Sequence, residues 1–184
     1  MRTFIAVPIS PTEAITLALS RLQAMRPPLK VISSDQLHLT TVFLGETDES
    51  LVSSLGEVIH DVASSVRFSQ LILCGIGAFP NVSRPTVVWA GFANPLPLIQ
   101  LADQLASRCE QLGFARETRS FQPHLTLARV KLQPPRDLTD FIHEHTTTDF
   151  GTVRPLTLTL YRSDMGPSGP TYTPLIAANL AFEP

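Results

Sequence analysis

Two histidines, His38 and His124, each stand two positions before a threonine, Thr40 and Thr126. Both tripeptides sit in apolar runs, Leu37-His38-Leu39-Thr40-Thr41-Val42-Phe43-Leu44-Gly45 and Pro123-His124-Leu125-Thr126-Leu127-Ala128-Arg129-Val130. Side chains alternate between the faces of a strand, so each run presents an imidazole beside a hydroxyl and turns the intervening leucine the other way. If the two strands approach each other, they enclose a cleft with a proton donor or acceptor on either side and two hydroxyls between. That set suits the opening of a cyclic phosphodiester by water. One group takes a proton from the attacking water and another gives a proton to the departing ribose oxygen. Histidine, whose ordinary pKa is about 6.5, does either near neutral pH. Hydroxyls and a guanidinium can hold the non-bridging oxygens, whose charge grows in the transition state. Arg129 is the nearest basic residue, but strict alternation puts it on the face opposite His124. It reaches the cleft only if the strand bulges or ends near Ala128.

With five histidines and 18 threonines in 184 residues, chance supplies about half of one such tripeptide, so the tripeptide alone is weak evidence. A third match, His145-Thr146-Thr147, lies in the polar run His143 to Asp149 and reads as a helix end and loop. Periodicity by itself leaves a second reading of His38 and His124 standing: half-buried strand histidines satisfied by neighbouring hydroxyls.

The elements that must position these strands alternate between α and β. Arg2 to Pro8 opens as a strand. Ser10-Pro11-Thr12-Glu13 then supplies a capping serine, a proline at the first helical position and a glutamate at the third, predicting a helix over 11–26 with Ile15, Leu19 and Leu22 on one face. Leu37 to Leu44 reads as a strand ended by Gly45, and 48–65 as a second helix carrying Leu51, Leu55, Val58, Ile59 and Val62. Two strands, over 66–78 and 86–92, flank the turn-rich Pro80 to Pro85 segment. Asn94-Pro95 opens a third helix that stops at Gly113. A strand over 123–131, a short helix over 135–145 and strands over 153–161 and 172–180 complete the order, the last two separated by Gly166-Pro167-Ser168-Gly169-Pro170. The two halves each hold one His-x-Thr strand, which fits an internal duplication.

Composition bounds the function. The chain carries a formal charge of −2 and 43% hydrophobic residues, so it can bury a core as one globular domain and does not hold nucleic acid through a broad basic surface. Phosphate recognition must be local. Cys74 and Cys109 fit no metal-ligand spacing and no disulfide framework, and read as reduced and buried in a cytoplasmic protein. The opening residues lack the pattern of a leader peptide. The longest apolar run, Leu71 to Phe79, is far short of the roughly 20 residues that cross a bilayer.

The two runs closely resemble the paired motifs of the two-histidine (2H) phosphoesterases, specifically the RNA 2′,3′-cyclic phosphodiesterases also known as 2′-5′ RNA ligases. The resemblance extends to the Arg2-Thr3-Phe4-Ile5-Ala6-Val7 start, to Phe79-Pro80 through Arg84-Pro85 leading into Val88-Trp89-Ala90-Gly91, and to Ser163-Asp164-Met165-Gly166-Pro167-Ser168-Gly169-Pro170-Thr171-Tyr172. It implies an α+β, bilobal, pseudo-twofold fold over residues 1–184, with two antiparallel sheets around a central cleft and helices outside. It further implies that His38 is the proton donor and His124 the proton acceptor, that Thr40 and Thr126 bind phosphate oxygens, and that Phe43 and Arg129 match positions associated with the substrate base and phosphate. The product would be a 2′-phosphomonoester, formed without metal or cofactor, and the substrate an RNA end or nucleotide bearing a 2′,3′-cyclic phosphate. One departure is Tyr161-Arg162-Ser163, where many relatives carry an acidic residue before the serine, which alters charge at the cleft rim.

Other residues are read more plainly. His143 and His145, two apart on a helix, splay their rings and read as solvated surface rather than a metal site. His60 reads as a packing or surface residue of its helix, and Trp89 as core. Lys30, Arg84, Arg116, Arg119 and Arg162 could form part of an RNA path, though each alone reads as an ordinary surface charge. Two competing functions remain at this level: a 2′-5′ RNA ligase running the reverse reaction through the same histidines, and a catalytically silent RNA or nucleotide binder. A monomer is expected, since neither a heptad repeat nor a broad apolar face is visible.

Overall fold

Thr3 to Val7 are buried on both faces, and a strand so covered belongs in the middle of a sheet. The computed structural model describes every residue except Ser69, Ser168, Glu183 and Pro184. Ser69, inside the strand expected over 66–78, and Ser168, inside the expected 166–170 loop, thus lie outside the described residues. Among the described residues the order is β1 (Arg2–Pro8), α1 (Glu13–Ala24), β2 (Lys30–Val31), β3 (His38–Glu46), α2 (Val52–Ser65), β4 (Arg67–Phe68), β5 (Leu71–Phe79), β6 (Val87–Phe92), α3 (Leu96–Gln111), β7 (Leu125–Arg129), α4 (Leu138–Glu144), β8 (Asp149–Val153), β9 (Thr157–Gly166), β10 (Gly169–Asn179) and β11 (Ala181–Phe182).

The strands form two antiparallel sheets, β10-β9-β1-β3 and β2-β7-β6-β5-β8, with a small parallel pair of β4 and β11. Helices α2 and α3 cover the four-stranded sheet, while α1 and α4 cover the five-stranded one. Ile5, Val7, Leu39, Leu55, Ile59, Leu98 and Leu101 pack the first interior, and Leu73, Leu125, Leu127, Ile15 and Phe141 lie in the second. Each buried aliphatic or aromatic side chain contributes about 1.5–3 kcal/mol. The order β1-α1-β2-β3-α2 is echoed by β6-α3-β7-α4: in both, the strand that opens with or directly follows a motif histidine pairs antiparallel with the strand that precedes the intervening helix. This is the bilobal, pseudo-twofold arrangement.

Several boundaries differ from the sequence-based expectation, each for a local reason. Thr12, not Ser10, caps α1: its hydroxyl accepts from Ile15 N at 3.2 Å and donates to the Phe150 carbonyl at 2.5 Å, tying the cap to β8. β3 runs through Gly45 to Glu46, because Arg2 still pairs there. Asp48 caps a short 3₁₀ turn over Glu49–Leu51 that leads into α2. The single strand expected over 153–161 is two, β8 and β9, which lie in different sheets, with Pro155 in the link between them. Of the loop expected over 166–170, Gly166 and Gly169 are instead paired strand ends of β9 and β10.

Both histidine strands carry a β-bulge at the same place. On β3, Ile5 pairs with Val42 and Ala6 with Thr40, leaving Thr41 without an opposite residue. On β7, Val88 pairs with Ala128 and Trp89 with Thr126, leaving Leu127 likewise. Each extra residue lies three positions after its histidine and is buried. A bulge shifts the alternation by one, so the residues five positions after each histidine, Phe43 and Arg129, come round to the histidine face. Thr41 secures its bulge by donating its hydroxyl to the Ile5 carbonyl at 2.9 Å. Replacing Thr41 by valine keeps the shape and strands that buried carbonyl, so urea denaturation should show a loss of about 1–3 kcal/mol. Thr16→Val on the exposed face of α1 should change stability by less than about 0.5 kcal/mol; equal effects would remove the bulge from the account.

Candidate active site

His38 opens β3 at the edge of the four-stranded sheet, and His124 lies one residue before β7 in the five-stranded sheet. The leucines that follow them, Leu39 and Leu125, are fully buried, which fixes the imidazoles and the hydroxyls of Thr40 and Thr126 on the opposite, half-exposed face. Among the described residues neither hydroxyl has a hydrogen-bond partner, so both have donor and acceptor capacity to spare for a ligand.

The two imidazoles are held identically. His38 Nδ1 lies 2.7 Å from the Gln36 carbonyl, and His124 Nδ1 lies 2.7 Å from the Gln122 carbonyl. A carbonyl oxygen only accepts, so each Nδ1 carries the proton and donates it. Nε2 is thereby left with a lone pair in the neutral ring and an N–H in the cation, as a base and an acid respectively require. Aromatic rings hold both in plane. The Phe4 centroid is 5.4 Å from that of His38, Tyr172 meets His38 edge-on at 5.2 Å, and Phe79 meets His124 edge-on at 5.0 Å.

Burial lowers the pKa of His38 below 6.5; the Gln36 hydrogen bond offsets this in part, and the charges of Arg129 and His124 lower it further. Burial likewise lowers His124, offset by the Gln122 bond and reinforced by the charge of Arg129. The same guanidinium disfavours the cation of both rings and His124 that of His38, and the two motif strands β3 and β7 are in contact. The bulge at Leu127 is what delivers Arg129 to the His124 face. Phe43, 74% exposed, comes to the His38 face through the bulge at Thr41 and lies 6.2 Å from Phe4 by ring centroids. Of the six residues singled out by sequence, His38, Thr40 and Phe43 thus share one face of the four-stranded sheet, and His124, Thr126 and Arg129 share one face of the five-stranded sheet.

Sequence reasoning missed the glutamine carbonyls, Phe4, Phe79 and Tyr172. A repeated Gln-x-His-Leu-Thr, at Gln36 to Thr40 and Gln122 to Thr126, was the available signal, but the group used belongs to the backbone. Three expectations are corrected, those for Trp89, His145 and Cys74. Trp89 is half-buried on the Thr126 face and not core. Its indole lies over Gly77, where a Cβ would overlap the ring, and its Nε1 has no hydrogen-bond partner among the described residues. His145 is not solvated surface: it accepts from Arg21 Nη1 at 2.8 Å, donates to Thr148 Oγ1 at 3.1 Å and packs on Phe141. That junction of α1 and α4 borders a cavity of about 290 Å³ lined by Arg21, Asp137, Phe141 and Glu144, which contains neither His38 nor His124. Cys109 is buried, which raises its thiol to about 11, whereas Cys74 is only half-buried. Arg162 is tied to Asp164 at 2.8 Å, which neutralises the rim charge that its position introduces.

Two antiparallel sheets with helices outside, each sheet presenting a His-x-Thr motif, form a fold of the LigT type. The family model for the 2′-5′ RNA ligase superfamily matches residues 11–166, and the chain belongs to that superfamily. The RNA 2′,3′-cyclic phosphodiesterase of Archaeoglobus fulgidus is 31% identical over 177 residues, spanning 95% of this chain and 98% of that one. The protein of the same name from Methanocaldococcus jannaschii is 32% identical over 173 residues, spanning 94% and 96%. Among solved structures, TT0787 of Thermus thermophilus superposes with a TM-score of 0.77 at 31% identity over the whole of both chains. E. coli LigT complexed with 3′-AMP superposes with a TM-score of 0.70 at 28% identity over 97% of each. No helix among the described residues is long and apolar enough to cross a membrane.

The electrostatics give a signed expectation. NMR titration of the free protein should show both imidazoles losing their protons below pH 6.5. Arg129→Gln removes a charge that disfavours both cations, so both midpoints should move to higher pH. Midpoints that stay in place would put the guanidinium out of range.

Proposed function

We propose that the protein hydrolyses 2′,3′-cyclic phosphodiesters at RNA ends and on nucleotides to 2′-phosphomonoesters. Water adds to phosphorus, the P–O3′ bond breaks, one histidine takes a proton from the water and the other gives one to O3′. In this reading Thr40, Thr126 and Arg129 hold the non-bridging oxygens and Phe43 packs on the base, with both sheets working as one unit in a cytoplasmic monomer. The observation that carries the proposal is the shared tautomer. Both Nε2 atoms are left available by an Nδ1–H bond to a backbone carbonyl, beside one guanidinium that acts on both rings. The names of the relatives and the adenine nucleotide held by E. coli LigT support the substrate class.

The resemblance gives the donor role to His38 and the acceptor role to His124. The opposite assignment fits the same geometry, because both rings are held by the same Nδ1–H bond to a backbone carbonyl. A substrate with sulfur in place of O3′ separates the two, because a thiolate leaves without a proton and rescues only the variant that lacks the acid.

With adenosine 2′,3′-cyclic phosphate and excess chelator, turnover should persist and fall at least about a hundredfold in His38→Ala and in His124→Ala. With the sulfur substrate, His38→Ala should recover and His124→Ala should not; recovery of His124→Ala alone would reverse the roles. Parental rates in both variants would sink the mechanism, and loss on chelation would bring in a metal. The 2′-5′ ligase reading predicts joined product when an RNA 5′-hydroxyl replaces water as nucleophile.

A further inference from the structure

Lys30 and Arg129 are Cα partners on the antiparallel strands β2 and β7, so their side chains leave the same face. The bulge at Leu127 turns Arg129 to the face of His124 and Thr126, so that face is the wall that carries the second motif. Lys30 does not turn out to solvent from there. Its ammonium reaches Gly169, the first residue of β10 in the other sheet, and occupies the space that a Cβ at that position would take. The side chain therefore spans the groove from the five-stranded sheet to the β9–β10 hairpin, at the end marked by Arg129.

Opening a cyclic phosphate needs one anion site, and Arg129 with the two hydroxyls supplies it. A second cation beside it has no part in that chemistry, and the rest of the surface gives it no general role. The chain is net negative, so a cation that meets a phosphate must do so at a particular place and not as part of a basic surface. What distinguishes an RNA end from a free nucleoside cyclic phosphate is the next phosphate along the strand, a monoanion on O5′ of the terminal nucleoside. Neighbouring cations on paired strands match successive phosphates, and an ammonium suits a tetrahedral anion as a point charge.

We propose that Lys30 binds the phosphate one nucleotide upstream of the cyclic phosphate and so directs the protein to the ends of RNA strands over free nucleoside cyclic phosphates. This rests on the function proposed above and adds a subsite to it. Two substrates test it: adenosine 2′,3′-cyclic phosphate and the dinucleotide ApA bearing a 2′,3′-cyclic phosphate. In the parent, kcat/KM should favour the dinucleotide by about tenfold, the scale of a charge-assisted contact. Its logarithm should also fall more steeply with log salt, by about 0.7, the increment for one phosphate contact on a single strand. Lys30→Ala should lose most of that ratio and of the extra salt slope, and Lys30→Arg should restore them. Equilibrium binding of the two 2′-phosphorylated products reads the same preference without turnover. A preference that survives Lys30→Ala, or an equal loss on both substrates, overturns the subsite. A Lys30-dependent binding gap in a protein that turns over neither substrate keeps the subsite and sinks the hydrolytic function.

Discussion

A hydrogen bond from Nδ1 to a backbone carbonyl two residues back is the constraint from which the site follows. It fixes which nitrogen of each imidazole carries the proton, and therefore which nitrogen is left available to a ligand. A free imidazole exchanges between tautomers and rotates about χ2. Here the carbonyls of Gln36 and Gln122 remove the first freedom, and the rings of Phe4, Tyr172 and Phe79 restrict the second. Burial then disfavours the doubly protonated state and helps to keep one imidazole neutral. Acid–base catalysis by a pair needs that division of labour, and a substrate anion would draw protons back toward the rings once bound.

Matched bulges turn a symmetric scaffold into a directional site. Up to the third residue after each histidine the two strands present the same chemistry: imidazole, hydroxyl, buried bulge. Two residues later they differ, a phenyl at Phe43 against a guanidinium at Arg129. A cyclic phosphodiester is itself lopsided, with a sugar and base on one side and an oxyanion on the other. Under the proposed function, the asymmetry that orients it is confined to one pair of equivalent positions, and the two histidines keep the same backbone acceptor on either wall.

The sequence made the two histidine strands and their faces legible because period-two alternation survives in any strand with one buried side. Arg129 was legible only conditionally, since a bulge is a property of pairing and depends on a partner strand remote in the chain. The glutamine carbonyls were not legible at all, because backbone acceptors carry no residue signature. Trp89 was misjudged for a related reason: an apolar run says that a strand is buried without saying which of its faces meets water. His145 shows the converse error, a polar run at a helix end that becomes structural when Arg21 from a distant helix packs beside it. The short β2 escaped notice, although two paired residues suffice to place Lys30 at the cleft.

The crossing of helices between the sheets has a dynamic consequence. Helix α1 leaves a strand of the four-stranded sheet yet packs on β7 and β8 of the other, and α3 leaves the five-stranded sheet yet packs on β3 and α2. Each lobe thus wears a cover supplied by its sibling, like two clasped hands. Spreading the lobes as a jaw would peel both covers from their apolar seats, at the cost of exposing Leu22, Leu101 and Leu105 to water. The interlock favours a slot that is ready before its guest arrives, so capture is governed by encounter and fit, with no closing stroke required.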